Sequence, residues 1–126
     1  MPANAAFDSN RIGSYYMKAY TVIGNGPVTD QAFTNNRVVG QGLKIGVVDG
    51  AYRPEGLRIA GNTSDTPAAP AAMNLDGVSG LIVTGNTVPL TTGTMAQVDG
   101  SCDVSVSGNS YPGGTREASI THPRCH

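Results

Sequence analysis

The chain has 126 residues, with eight Lys or Arg against nine Asp or Glu and a formal net charge of −1. That length sets a prior of one domain with a single core. Charge this sparse and balanced excludes a basic nucleic-acid footprint, and no run reaches the roughly 18 apolar residues of a spanning helix, so neither nucleic acid nor membrane is expected as a partner.

"MPANAAFDSN" at the start has no basic n-region and no apolar core, so no signal peptide is visible. The first expected strand lies in "AFDSNRI", which carries Ser9-Asn10, and a second block follows in "MKAYTV" from Met17. "AFTNNRV" then repeats the first pattern with Asn35-Asn36, and "LKIGVV" from Leu43 repeats the second. "AYRPEG" at 51–56 is an insertion, followed by the octet "GLRIAGNT" from Gly56. "TPAAPAAM" is Ala-rich, but Pro67 and Pro70 break any helix, so a loop or bulging side is expected. A near-copy of the octet, "GLIVTGNT", starts at Gly80, and "DVSVSGNS" gives the last version.

The asparagines of these blocks fall at Asn10, Asn36, Asn62, Asn86 and Asn109, at intervals of 26, 26, 24 and 23. A near-fixed period in the twenties is the signature of a repeat architecture. Three residues before each Asn stand Phe7, Phe33, Ile59, Val83 and Val106, and five before stand Ala5, Gln31, Leu57, Leu81 and Val104. The alternation between them is that of half-buried strands. "MNLDGVSGLIVTGN" from Met73 also aligns with "AQVDGSCDVSVSGN" from Ala96, giving about three short strands per unit.

Apolar-x-apolar-x-Gly-Asn at this period resembles the repeat of right-handed parallel β-helices, as in pectate-lyase-like carbohydrate enzymes, epimerases and phage tail spikes. The resemblance covers residues 5 to about 111. It implies an all-β, single-stranded, right-handed parallel β-helix of four to five coils over 1–111, with 112–126 as a C-terminal tail or cap. Coils stacked roughly 4.8 Å apart would line the five asparagines into a structural ladder, the Asn taking the left-handed corner and its amide bonding the coils above and below.

Other residues leave alternatives open. Asp76 and Asp99, with Asp49 near the same phase, form a column that is a set of Asp-Gly turns, a cation or sugar contact, or an acid–base pair. Tyr15, Tyr16, Tyr20 and Tyr52, with Arg53 and Glu55 beside the last, suit a carbohydrate- or partner-binding face, or a patch covering the solenoid's end. Cys102 and Cys125 either form a disulfide that pins the tail or remain free thiols. His122, Cys125 and His126 fit no closed zinc motif, so no metal or other cofactor is expected.

No catalytic constellation stands out. Arg37, Arg58 and Arg116 are candidates for a lyase-like base, but none has an evident paired carboxylate in sequence. "Arg58-Ile59-Ala60" departs from the Arg-Ile-Lys of the pectin-hydrolase pattern, and no Asp-Asp pair occurs. The N-terminal strand starts almost at once with no covering helix, which predicts a partner at that end. The expectation is a structural, self-associating module of a viral particle (spike, fibre or decoration protein) or other extracellular assembly. A homo-oligomer is expected, a trimer in particular, with polysaccharide as a second contact. The alternative is a carbohydrate-active β-helix domain or fragment.

Overall fold

The structure is a computed structural model describing residues 6–13, 20–23, 29–48 and 54–124. Three strands make the first turn: β1 (Ala6–Asp8), β2 (Arg11–Gly13) and β3 (Tyr20–Ile23). The second turn holds β4 (Thr29–Thr34), β5 (Arg37–Gly42) and β6 (Ile45–Val48), and the third β7 (Glu55–Ala60), β8 (Thr63–Thr66) and β9 (Met73–Asp76). Then come β10 (Ser79–Thr84) and β11 (Thr94–Asp99), and last β12 (Cys102–Ser107) and β13 (Arg116–Thr121).

Each strand pairs, in parallel, with its counterpart one turn away. The first sheet runs β1-β4-β7-β10-β12, the second β2-β5-β8, and the third β3-β6-β9-β11-β13. The second side continues past β8 only as isolated bridges, Thr63 to Thr87 and Thr87 to Ser110. The chain is thus an all-β parallel solenoid of about four turns, with no helix among the described residues.

Register explains the repeat. Phe33, Ile59, Val83 and Val106 are Cα partners in succession, and so are Gln31, Leu57, Leu81 and Val104. In the third sheet Ile45, Met73, Ala96 and Ala118 form one column, and Val47, Leu75, Val98 and Ile120 another. Column members in the middle turns are almost fully buried, whereas Ile120 is 47% exposed, since β13 is the outermost described strand of its sheet. Burying an aliphatic side chain fully contributes roughly 1.5–3 kcal/mol, so these columns hold the turns together. Gln31 is the polar exception; its Nε2 donates to Thr29 O at 2.9 Å.

One register differs from the sequence alignment. Matching "MKAYTV" to "LKIGVV" letter for letter sets Tyr20 opposite Gly46; in the structure Tyr20 pairs with Ile45 and Val22 with Val47. Arg11 pairs with Arg37 just before, so the first turn carries one residue more than the second between its second and third sides. Between Thr66 and Met73 the chain is not helical: Ala68 and Ala72 point into the core, and Pro67 and Pro70 stay outside. In the segment 112–126, β13 extends the third sheet, in register with β11.

Candidate functional site

The asparagine ladder is present and has a direction. Asn10 donates its main-chain N–H and Nδ2–H to Asn36 Oδ1 at 2.9 and 3.0 Å. Asn36 does the same to Asn62 Oδ1 at 3.0 and 3.2 Å, Asn62 to Asn86 Oδ1 at 3.0 and 2.9 Å, and Asn86 to Asn109 Oδ1 at 3.0 and 2.8 Å. A second amide hydrogen from Asn62 goes to Phe33 O, and one from Asn86 to Ile59 O. In each rung from Asn10 to Asn86 the main-chain N–H and one amide hydrogen therefore point toward the C-terminal end, while the second amide hydrogen of Asn62 and of Asn86 turns back to the strand of the turn before. Asn36, Asn62 and Asn86 are at most 1% exposed, where an unmet amide would be costly.

The left-handed corner belongs not to the ladder asparagine but to the residue before it. Ser9, Asn35, Gly61, Gly85 and Gly108 all have φ between 54° and 69°. That leaves each ladder Asn free to turn its amide inward. Its own carbonyl accepts from the next turn, as in Thr63 N to Asn36 O at 2.9 Å.

The ladder ends on a carboxylate. Asn109 donates its main-chain N–H and its Nδ2–H to Glu117 Oε2 at 3.0 and 2.9 Å. Glu117 lies between the register pairs Thr94–Arg116 and Ala96–Ala118, opposite the fully buried Met95. The last turn thus turns a carboxylate inward where the turn before it has an apolar side chain.

The aspartate column is real at two positions, since Asp76 and Asp99 are Cα partners. Asp49 lies outside the described residues. Thr121 follows Asp99 in register. Asp99 Oδ1 accepts from Thr121 Oγ1 at 2.8 Å and lies 2.8 Å from His122 Nδ1. The His122 and Thr121 hydrogen bonds hold the Asp99 carboxyl below the usual aspartate range, with Arg124 adding a smaller electrostatic effect. Thr34, Asn35 and Ser9 do the same to Asp8. No group of three or more His, Cys, Asp or Glu among the described residues could hold a metal ion.

Of the expected contact aromatics, Tyr15, Tyr16 and Tyr52, with Arg53, lie outside the described residues, and Tyr20 sits in β3. Cys102 is disulfide-bonded, and Cys125 lies outside the described residues. Among the candidate bases, Arg37 is tied to Asp65 at 2.8 Å in an exposed ion pair.

Sequence reasoning missed a trench on the outer face of the first sheet. It has a volume of about 290 Å³ and is lined by Asp30, Ala32, Gly56, Arg58, Gly80 and Ile82, among others. Asp30, Gly56, Gly80 and Asp103 share one phase, just before the inward column, and all have φ between 51° and 79°. Two glycines in the middle leave a floor without side chains, and a Cβ on Gly56 would meet Asp30 Oδ1 at 2.7 Å. Arg58 and Ile82 are neighbours in the outward column, Ile82 being 45% exposed. Asp30 and Arg58 have no hydrogen-bonding or ion-pairing side-chain partner among the described residues. The signal was in the sequence: both octets open on a glycine.

Compared with family models, with curated proteins and with solved structures, the chain matches none of them.

Proposed function

We propose that this chain is a structural, self-associating β-solenoid module of a viral particle (a spike, fibre or decoration protein) or of an extracellular assembly. The trench on the first sheet is its lateral contact face. The observation that carries this reading is the trench itself: an exposed Ile82 between Gly80 and Arg58, with Asp30 and Arg58, charges of both signs, unpaired among the described residues. A second copy offers the same apolar surface and the same opposite charges, so Asp30 of one copy complements Arg58 of another. The polar groups of the interior support it too, because the ladder amides are committed to holding the turns together. A stiff rod with one sticky side suits a building block, and the resemblance to tail spikes favours a trimer.

A carbohydrate-active or carbohydrate-binding role is the second reading. Arg58 for an acidic group, Asp30 for hydroxyls and Ile82 for the C–H face of a sugar would suit one ring. The volume of about 290 Å³ falls just below the roughly 300–1,000 Å³ of ordinary ligand pockets, which weighs toward a contact surface.

Sedimentation velocity over a dilution series separates the two. A trimer or larger species in the wild type that falls to the 12.9 kDa monomer in Ile82→Asp supports self-association through this face. A monomer at every concentration overturns it. Binding of acidic oligosaccharides by that monomer, lost in Arg58→Ala, would favour the second reading.

A further inference from the structure

We infer that neighbouring copies of this chain pack side by side, pointing the same way and with equal turns level, so that Arg58 and Ile82 of one copy fill the gutter over Gly56 and Gly80 of the next. The inference rests on the lateral association proposed above and specifies its geometry.

Two columns run along the outer face of the first sheet. The first is Asp30, Gly56, Gly80 and Asp103, all at positive φ. The second, two residues further along each strand, is Ala32, Arg58, Ile82 and Ser105, which are Cα partners in succession. The two columns are matched in size turn by turn. Asp30 and Asp103 are followed by the small Ala32 and Ser105, whereas Gly56 and Gly80 are followed by the large Arg58 and Ile82. The chain's own Ile82 does not use the space over Gly80: a Cβ there would meet the Gly56 backbone at 3.6 and 3.7 Å, and not Ile82.

Closed oligomers are built by rotation. An axis parallel to the rod sets the first column of one copy against the second column of its neighbour, with equal turns opposite each other. This holds for a two-fold and for a three-fold axis. Ile82 then lies over Gly80 and Arg58 over Gly56, while Ala32 and Ser105 leave room for Asp30 and Asp103. The charges agree with the sizes. Asp30 Oδ1 lies 2.7 Å from where a Gly56 Cβ would stand, so an Arg58 arriving over Gly56 meets that carboxylate in a charge-assisted contact. A two-fold axis across the rod, which makes the copies antiparallel, sets each column against itself instead. Centred on the trench, it would bring Asp30 to Asp103 and Arg58 to Ile82, like charge to like charge and bulk to bulk.

Gly80→Asn tests this geometry. Asn tolerates the left-handed backbone, and the same column already carries Asp30 and Asp103 at φ 51° and 52°. In sedimentation velocity over a dilution series, filling the gutter beneath the neighbour's Ile82 should weaken association roughly tenfold. Ile82→Ala empties the opposing position, so Gly80→Asn should cost nothing in that background. Gly80→Asn chains mixed with Ile82→Ala chains should form mixed oligomers tighter than Gly80→Asn forms alone, because the filled position of one then meets the shortened position of the other. An associating wild type whose Gly80→Asn variant associates equally well overturns this geometry and leaves the lateral reading standing. So does a Gly80→Asn loss that neither Ile82→Ala nor mixing relieves, since packing within one chain would then be its cause. A wild type that stays monomeric overturns the lateral reading and this inference with it. Should Gly80→Asn fail to fold, Gly80→Asp, the residue the column carries at 30 and 103, is read in the same way.

Discussion

Glu117 Oε2 receives both the main-chain N–H and the side-chain amide of Asn109, at 3.0 and 2.9 Å. In every earlier turn the same two donors meet the Oδ1 of another asparagine. The chain thus ends its ladder with a different residue type, supplied from eight positions along rather than from another coil. A carboxylate suits the place because both donors point at one oxygen and the end of the rod is only partly buried, where a charged acceptor keeps some solvent.

The ladder should lose stability unevenly when cut. Asn62→Ala leaves the main-chain and side-chain N–H of buried Asn36 without their acceptor. At about 1–3 kcal/mol for each unmet buried donor, the variant should unfold roughly 2–6 kcal/mol more easily in urea. Asn10→Ala is exposed and orphans no buried donor, so it should cost under about 1 kcal/mol. Equal midpoints for the two variants would show that the ladder adds nothing.

The corner before each ladder asparagine should discriminate by backbone conformation. Gly85 has φ +65°, and a Cβ there would meet nothing closer than Gly61 N at 3.8 Å. Space is therefore available, and the cost is conformational. Gly85→Asn, the residue already accepted at Asn35, should cost less than Gly85→Val, the gap being about 1–2 kcal/mol by chemical denaturation.

Acid should weaken the fold through two carboxylates. The folded-state pKa values of Asp8 and Asp99 lie below the ordinary value of 3.8. Their stabilisation is complete above that value and is lost as the pH falls through the lowered folded-state values. The unfolding midpoint of the wild type should fall below about pH 4 more steeply than that of an Asp8→Asn, Asp99→Asn double variant. Parallel curves would mean that the Thr34 and His122 contacts do not form in solution.

Reduction should act on one end of the rod. Cys102 opens β12 in the last turn and is disulfide-bonded. Removing a disulfide costs about 2–4 kcal/mol, and the loss should appear as faster amide exchange in β12 and β13 with β7 and β10 unchanged. Uniform acceleration through all the strands would contradict a local role.

The five asparagines, the paired octets and the alternating apolar residues determined the architecture by themselves. In a solenoid each turn meets the same surroundings as the last, so one position needs one kind of residue again and again, and that repetition is visible as spelling. The columns through Phe33 and Leu57, the Asp76–Asp99 register and the five ladder positions were all legible for this reason. What does not repeat was not legible. The extra residue before β3 and the carboxylate of Glu117 closing the ladder were decided by the tertiary structure, and so was the opening of the repeated Gly56 and Gly80 into a trench. Each arises where a turn differs from its neighbours, or where a missing side chain leaves space between two that remain. Such features depend on how the turns stack and which edge is left unstacked, and no single turn's letters record that.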